Sequence, residues 1–326
     1  MSYLMLAGGL ALLVFSGDLL VRGSVALAER LAIPPIIIGL TIVAFGTSAP
    51  ELLISVQAAL AGLPGIAVGN VVGSNIANIL LVLGAPALIT ATDCNQPFVV
   101  RNALFMLGAS IIFTALCFMG PLGAAHGIVL ITLLGVFLTE SARRALASNR
   151  KTGFAEDCET IDGIEGVPHR PFLMIVFVVL GLLGLPLAAH LTVEGASHIA
   201  SAWGVSDATI GVSIVAIGTS LPELAATVIA AMRKQGGLAI GNVLGSNLFN
   251  LLAIMGITSL VTEVEIPKSI LHLDLWVMVA TALMLMPFVL RRGVIRFGTG
   301  LAFVACYVGY MVFTFDGANI GQAIAR

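Results

Sequence analysis

Two stretches of the chain place a carboxylate, two hydroxyls and a proline inside long apolar runs. Ile42–Leu53 reads IVAFGTSAPELL, and Ile214–Ala225 reads IVAIGTSLPELA. An ionised glutamate at bilayer depth costs on the order of 3 kcal/mol or more unless it is paired or solvated. No lysine or arginine occupies an equivalent apolar position in both halves of the chain. The pattern therefore predicts that an exchangeable cation is the counter-charge of Glu51 and Glu223.

Further oxygen ligands follow each motif, in the segments GSNIAN and GSNLFN. A serine and an asparagine four residues apart lie on one face of a helix, so both can point at the facing glutamate. Hydroxyl, amide and carboxylate oxygens suit Na⁺ and Ca²⁺, and the absence of His and Cys there argues against zinc or copper. Beside the two glutamates, the candidate ligands are Thr47, Ser48, Ser74, Asn78, Thr219, Ser220, Ser246 and Asn250.

The glycine and the proline of each motif predict a broken helix. A proline removes a helical hydrogen bond, and in the first motif this is expected to free backbone carbonyls near Ala44 and Phe45. Tight glycines in the following helices, at positions 69, 73, 241 and 245, are expected to let those helices approach the broken ones closely. Two carboxylates in such a cage match one divalent ion or several monovalent ions.

Composition identifies the setting as a membrane. Hydrophobic residues make up 59% of the chain and charged residues 10%, and the mean hydropathy is +1.08. A helix needs roughly 20 mostly apolar residues to cross the hydrocarbon core. The predicted fold is an all-α polytopic membrane protein with ten transmembrane helices, at approximately 3–28, 36–61, 67–90, 99–119, 124–142, 171–199, 208–231, 238–261, 272–290 and 296–315.

The chain contains an internal repeat. Gly39–Gly84 aligns without a gap with Gly211–Gly256, and about half of the positions are identical. Five spans per half is an odd number, so the second half must enter the membrane from the opposite side, as in many secondary transporters. The predicted organisation is a first five-helix repeat at 1–142, a cytoplasmic linker at 143–170 and a second, inverted five-helix repeat at 171–326.

The basic residues predict the orientation, because Lys and Arg are retained on the cytoplasmic side. Apart from Arg22 within the first span, nearly all of them fall at the connections after spans 1, 3, 5, 7 and 9, and Lys268 and Arg326 are the exceptions. Both termini are therefore expected outside the cell. The N-terminus has no basic region or clear cleavage site, so it is interpreted as a retained first span and not as a signal peptide.

The paired motifs resemble the alpha-repeats of the cation/Ca²⁺ exchanger superfamily, specifically its sodium/calcium exchanger type in prokaryotes. The resemblance covers essentially the whole chain, and it implies alternating-access antiport of Na⁺ and Ca²⁺ across the inner membrane. It implies that Glu51 and Glu223 hold Ca²⁺ with Thr47 and Thr219. It also implies flanking Na⁺ sites built from Ser48, Ser74, Ser220, Ser246 and the carbonyls of Ala44 and Ala216.

One departure keeps a second function open. Many prokaryotic relatives carry Asp where this chain has Asn250, so the cage here has two carboxylates instead of three. An H⁺-driven Ca²⁺ antiporter of the same fold is therefore the alternative. A carrier of uncharged solutes is disfavoured by the doubly acidic cage. An intramembrane hydrolase is disfavoured because no Ser/His or Asp/Asp dyad recurs in the motifs.

The remaining polar groups are interpreted structurally. Asp18 and Arg22, and also His190 and Glu194, stand four residues apart and are expected to form local pairs. The four cysteines have no C-x-x-C spacing, which predicts neither a redox pair nor a metal site. No cofactor, nucleic acid or obligatory protein partner is expected beyond the transported ions and the lipid bilayer.

Overall fold

The computed structural model describes residues 1–152, 166–168, 170–204 and 216–324. Among these residues, eight helices are long and apolar enough to cross a membrane, and counting one bent pair as a span raises the number to nine. The first part of the predicted seventh span and most of the predicted linker, residues 205–215 and 153–165, lie outside the described residues. A mostly helical membrane architecture is therefore confirmed, at a coarser level than ten spans.

The first half of the chain is helical almost throughout. Its helices are α1 (Ser2–Leu31), α2 (Pro35–Thr47), α3 (Ala49–Leu60), α4 (Pro64–Ala87), α5 (Val99–Phe118) and α6 (Ala124–Thr152). Helix α6 continues beyond the predicted end of the fifth span at residue 142, so the first part of the predicted linker is helical.

The second half follows the same plan. Its described helices are α7 (Pro171–Ala202), α8 (Ala216–Thr219), α9 (Leu221–Met232), α10 (Gly236–Val261), α11 (Ile270–Leu290) and α12 (Phe297–Ile324). Helix α9 occupies the positions that α3 occupies 172 residues earlier. The sequence repeat is thus accompanied by a repeat of helix boundaries.

Both motifs break their helix at the serine. Ser48 has φ −83° and ψ 4°, and Ser220 has φ −87° and ψ 3°. Pro50 and Pro222 follow as the second residues of α3 and α9, where a missing N–H is tolerated because the first helical turn has no partner for it. In the first half this produces a bend of 44° between α2 and α3.

Helices α4 and α10 each contain a π-helical segment near the asparagine of GSNxxN. The segments are Asn78–Val82 and Phe249–Ile254. In the first, the N–H of Leu83 donates to the carbonyl of Asn78 at 3.1 Å, one residue further along than in an α-helix. Such widened turns are frequent at functional sites, because the extra residue shifts the side chains around the helix axis.

Helices α1 and α7 form a long antiparallel pair. Gly195 of α7 lies against Leu6 near the start of α1, and Gly23 lies against Val178 near its end. A methyl group on Gly195 would stand 2.6 Å from the backbone nitrogen of Leu6. Only glycine therefore permits this approach of the two backbones.

Short strands connect the loops at the two ends of the helices. Strand β1 (Thr92–Asp93) pairs antiparallel with β2 (Val294–Ile295), and Leu122 forms a β-bridge with Val264. Helix α11 runs between Val264 and β2, so these two contacts lie at opposite ends of the bundle. The loops that follow α4 and α11 therefore share one face, and those that follow α5 and α10 share the other.

The buried centre of the protein is formed by α10 and α4. In an 18-residue apolar stretch of each helix, 89% of the residues are buried in α10 and 72% in α4, against 17% in α12. Outer helices instead expose large apolar side chains, such as Phe15 and Leu183. An apolar outer surface of this extent requires lipid hydrocarbon as its solvent, so the chain is an integral membrane protein.

Candidate functional site

The two motif glutamates lie together inside the bundle. Glu51 and Glu223 each occupy the first turn of a helix that starts at a break, and each is 1% exposed. Their carboxylates are close enough to interact electrostatically. Neither forms an ion pair with a lysine, arginine or histidine anywhere in the described part of the chain. The fold therefore brings the two acids together, and no cationic side chain of the described residues pairs with them.

A hydrogen bond joins the two motifs directly. The hydroxyl of Ser48, at the first break, donates to Oε1 of Glu223 at 3.3 Å. Because Ser48 belongs to the first half and Glu223 to the second, the acid of one motif is held by the hydroxyl of the other.

Two further asparagines, which were not among the predicted ligands, hold the backbone beside the glutamates. Nδ2 of Asn70 donates to the backbone carbonyl of Glu51 at 3.2 Å and to Oγ of Ser55 at 3.0 Å. Nδ2 of Asn242 donates in the same way to the carbonyl of Glu223 at 3.3 Å and to Oγ1 of Thr227 at 2.9 Å. The signal was available, because both are the asparagine of the repeated dipeptide Gly-Asn.

The carbonyl of Ala44 is engaged within the helix, contrary to the expectation that the break would free it. It accepts the N–H of Ser48 at 3.0 Å and the hydroxyl of Thr47 at 3.3 Å. Pro50 lacks the N–H that would bond four residues back, so the carbonyl that loses its helical donor is that of Gly46. The single hydroxyl hydrogen of Thr47 is shared with Oδ1 of Asn242, which lies 3.4 Å from Oγ1, and this ties the first break to α10.

Several buried oxygens around the acids accept no hydrogen bond. Asn78 and Asn250 are each 1% exposed, and their amide nitrogens donate to other asparagines, which leaves their carbonyl oxygens free. In the described structure, the buried oxygens without a partner in and next to the motifs are Oε2 of Glu51, Oε2 of Glu223, Oδ1 of Asn78, Oδ1 of Asn250 and Oγ of Ser246. Unpartnered buried acceptors are costly, and oxygens of these types are ligands that a bound cation would satisfy.

The other candidate ligands lie on the same helices. Ser74 and Ser246 are buried one turn before Asn78 and Asn250, and Ser220 is buried at the second break. Thr219 ends α8 and is partly buried, whereas Ala216 begins that helix. All predicted ligand positions therefore fall on α2, α3, α4, α8, α9 and α10 or at the breaks between them.

Close helix packing was predicted at four glycines, and two of them can be assessed fully. A methyl group on Gly241 would lie 2.5 Å from the carbonyl oxygen of Ile36, and one on Gly245 would lie 2.7 Å from that of Leu40. Both glycines of α10 therefore admit α2 as predicted. Among the described residues, a methyl group on Gly69 would meet only Ile270, at 3.9 Å, and one on Gly73 would meet nothing within 4 Å, so the close approach predicted at these two glycines is not observed there.

A cavity of about 200 Å³ adjoins the two breaks. It lies between α3, α7 and the α8–α9 pair, and Pro50 and Pro222, the neighbours of the two acids, both line it. His190 of α7 stands in its wall with Pro186 and Thr219. The local pair predicted for His190 is present, since its Nε2 lies 3.5 Å from Oε2 of Glu194.

The donor set is one of oxygens. Within the described residues, no group of three or more His, Cys, Asp and Glu side chains could hold a metal ion. The site therefore combines two carboxylates with hydroxyl and amide oxygens, a set suited to Na⁺ and Ca²⁺ and poor for zinc or copper.

An ion pair outside this site links α1 to the end of α9. Nε of Arg22 lies 2.7 Å from Oδ2 of Asp18, as predicted, and Oδ1 of Asp18 also pairs with Arg233. Arg233 was not expected to be a partner. Among the described cysteines, Cys94, Cys117 and Cys306 are free thiols, and burial, with a contribution from the charge of Asp93, raises the pKa of Cys94 to about 12.

Comparison with known proteins places this geometry in a family context. A family model described as "Sodium/calcium exchanger protein" matches residues 1–141 and 173–315. The chain is 37% identical over 261 residues to the inner membrane protein YrbG of Escherichia coli (strain K12), which covers 79% of each chain. It is 32% identical to the sodium/calcium exchanger MaX1 of Methanosarcina acetivorans, over 96% of this chain and 98% of that one. A solved structure of the sodium-calcium exchanger NCX_Mj matches 95% of this chain and 97% of its own with a TM-score of 0.81 and 31% identity.

Proposed function

Because the chain belongs to the sodium/calcium exchanger family, we propose that the buried oxygens around Glu51 and Glu223 bind the ions that it carries. The protein is an integral membrane antiporter that exchanges Na⁺ for Ca²⁺. It is a transporter and not an enzyme, and exchange in this family needs no cofactor. The observation that carries the proposal is the pair of buried carboxylates with unpartnered oxygens, neither of which pairs with a cationic side chain of the described residues.

Ca²⁺ is assigned to the centre of the cage. Glu51 and Glu223 supply two negative charges, which neutralise one divalent ion, and Thr47 and Thr219 supply oxygens beside them. Ser48, Ser74, Ser220, Ser246, Asn78 and Asn250 complete the shell, with the backbone carbonyls of Ala44 and Ala216 for Na⁺. The Ala44 carbonyl already accepts two hydrogen bonds, which weakens it as a ligand.

A shared cage explains why the ions exchange. Two carboxylates in electrostatic contact repel each other in a medium of low dielectric constant, so an empty cage is costly to bury. One Ca²⁺ or a group of Na⁺ ions removes that cost, and both cannot occupy the same oxygens. Reorientation of the loaded protein is therefore favoured over reorientation of the empty one, which is the condition for coupled antiport by alternating access.

We infer the finer topology from the ends of the helices. The proposed architecture is ten transmembrane helices in two inverted five-helix repeats, 1–142 and 171–326, joined by a cytoplasmic linker at 143–170. The pairing of β1 with β2 and the bridge between Leu122 and Val264 support alternate faces for successive loops. With the positive-inside rule, this assigns both termini to the outer side of a prokaryotic inner membrane. No obligatory protein partner is proposed.

The cavity beside Pro50 and Pro222 is proposed as an access path to the acids. It reaches both motifs and is bounded by α7, so a shift of the α1–α7 pair would open or close it. Thr219 and His190 supply polar groups along an otherwise apolar wall, which suits the passage of a partly hydrated ion.

The test is ⁴⁵Ca²⁺ uptake into proteoliposomes loaded with Na⁺ and diluted into choline buffer. Uptake is expected only with the outward Na⁺ gradient, and a pH jump on the same preparation is expected to drive none. Glu51→Gln and Glu223→Gln are expected to remove uptake while the purified protein stays monodisperse. Uptake driven by the pH jump alone would reassign the coupling ion, and full uptake by either variant would reject the site.

A further inference from the structure

Four buried residues behind Asn78 and Asn250 form two matching hydrogen-bonded chains across the middle of the bundle. They are Asn75 and Asn247, with Met106 and Met278. The two asparagines are 172 residues apart, and so are the two methionines, although the methionines lie outside the repeat that the sequence reveals. All four are at most 2% exposed, so bulk water does not reach their polar atoms.

The first chain starts at the candidate ligand Asn250. Its Nδ2 donates to Oδ1 of Asn75 at 3.5 Å, and Nδ2 of Asn75 donates to the sulfur of Met278 at 3.8 Å. Asn250 lies on α10, Asn75 on α4 and Met278 on α11, so the chain passes from the second half to the first and back.

The second chain mirrors the first. Nδ2 of Asn78 donates to Oδ1 of Asn247 at 3.1 Å, and Nδ2 of Asn247 donates to the sulfur of Met106 at 3.4 Å. It passes from α4 to α10 and then to α5. Each candidate ligand is thus supported by an asparagine of the opposite half.

The sulfur atom decides the direction of every bond in these chains. A thioether has lone pairs and no hydrogen, so only the NH₂ group of an amide can face it. With its NH₂ turned to Met278, Asn75 must present its carbonyl oxygen to Asn250. Asn250 can meet that oxygen only with its own NH₂, which leaves its carbonyl oxygen on the opposite side.

We propose that Met278 and Asn75 position the carbonyl oxygen of Asn250 for ion binding, and that Met106 and Asn247 do the same for Asn78. This inference rests on the proposed function of the two ligand asparagines. An amide that is free to rotate would offer an ion its NH₂ as often as its oxygen, and the NH₂ repels a cation. The methionines therefore act as positioning residues at the far end of each chain.

The test uses a change that keeps volume and removes the acceptor. Met278→Leu and Met106→Leu conserve core volume, and such swaps usually cost less than about 1.5 kcal/mol of stability. The matched control is Met286→Leu, on the same helix as Met278, because Met286 is buried and makes no hydrogen bond within the described part of the chain. The measurement is the KM for Ca²⁺ and the maximal rate of Na⁺-driven uptake in proteoliposomes.

Each test variant is expected to raise the KM about 10-fold, the lower end of the effect of removing a group that orients a metal ligand. The maximal rate is expected to stay within about twofold of the wild type, as is the KM of Met286→Leu. An unchanged KM in both test variants, with wild-type exchange intact, would overturn the positioning role. Absence of Na⁺-driven exchange in the wild type would instead overturn the proposed function.

A second measurement separates positioning from simple packing. In an Asn250→Asp background the side chain has two equivalent oxygens, so no partner is needed to select one of them. Asn75 is then expected to turn its NH₂ to the new carboxylate, so its carbonyl oxygen faces Met278 and the hydrogen bond to the sulfur is lost. Met278→Leu should therefore change the KM by less than about twofold in that background, and a persistent 10-fold effect would show that the sulfur only fills space.

Discussion

Removing one carboxylate should weaken Ca²⁺ binding about twice as strongly, in free energy, as it weakens Na⁺ binding. Glu51 and Glu223 are almost completely buried, and no protein cation is paired with either of them in the described chain. Two unit charges about 4 Å apart interact by about 4 kcal/mol at an effective dielectric constant of ~20, and a divalent ion doubles this to about 8 kcal/mol. Part of that gain offsets dehydration of the ion, so the net loss is smaller than the gross interaction.

We expect Glu51→Gln and Glu223→Gln to lower the affinity for Ca²⁺ by at least about 100-fold, which is about 2.7 kcal/mol. The corresponding loss for Na⁺ is about 10-fold, because its charge is half as large. The fold should survive, since glutamine has nearly the same shape and removes the repulsion between two buried acids.

Two assays measure this effect. Uptake of ⁴⁵Ca²⁺ reports transport, and thermal unfolding in detergent with and without Ca²⁺ reports binding. At a Ca²⁺ concentration 100 times the wild-type Kd, bound ion stabilises the wild type by about 2.7 kcal/mol, whereas a variant with a 100-fold higher Kd gains about 0.4 kcal/mol. The control is Glu265→Gln, in an exposed position of the loop before α11, for which no change is expected.

The electrostatic reasoning fails if either variant takes up Ca²⁺ at a KM within about twofold of the wild type. It also fails if the losses for Na⁺ and Ca²⁺ are equal, because a purely geometric defect would not distinguish the charge of the ion. A variant that aggregates before Ca²⁺ is added would mean that the carboxylate is required for folding, which contradicts the account of a repulsive empty cage.

Three further predictions concern contacts around the site. Ser48→Ala removes the hydroxyl that donates to Glu223 at 3.3 Å. Because a hydrogen bond to a charged group contributes about 1.5–3 kcal/mol, the KM for Ca²⁺ should rise at least about 10-fold. An unchanged KM would show that this contact does not form in the ion-bound state. Gly245→Ala places a methyl group 2.7 Å from the carbonyl oxygen of Leu40, so it should lower the unfolding free energy by about 1–3 kcal/mol and abolish uptake. The control, Gly108→Ala on α5, has open space around it and should be neutral or stabilising. Equal effects of the two changes in thermal unfolding would argue against tight packing of α10 on α2. Asp18→Asn and Arg233→Ala each break a partly exposed ion pair, so a double-mutant cycle on the unfolding free energy should give a coupling energy of at most about 1 kcal/mol. A much larger coupling energy would mean that the ion pair is shielded from water.

Much of the site could be read from the sequence because its signals are local. A glutamate inside an apolar span is expensive wherever the span lies, and its recurrence 172 residues later indicates two equivalent acids. The proline that follows Ser48 predicts a broken helix from backbone chemistry alone. The pairs Asp18–Arg22 and His190–Glu194 follow from helical spacing, and both are present.

The tertiary structure decided which of these residues meet. Ser48 bonds to the acid of the other half, Asp18 reaches Arg233, and the asparagines behind the cage end on Met106 and Met278. The partners in these contacts are more than 100 residues apart, and helical period or hydropathy carries no information about such distances. They depend on how six or more helices cross, which is set by the summed packing of many side chains.

Local geometry also changed once the helices were packed. The π-helical turns beside Asn78 and Asn250 and the hydrogen-bonded carbonyl of Ala44 could not be inferred from proline and glycine positions. Sequence alone predicted two acids at membrane depth and a cation as their counter-charge, because an unpaired charge in hydrocarbon is costly. Tertiary structure decided which oxygen of each side chain is left without a hydrogen-bond partner, because an amide or hydroxyl takes its orientation from the neighbours that only folding brings within 4 Å.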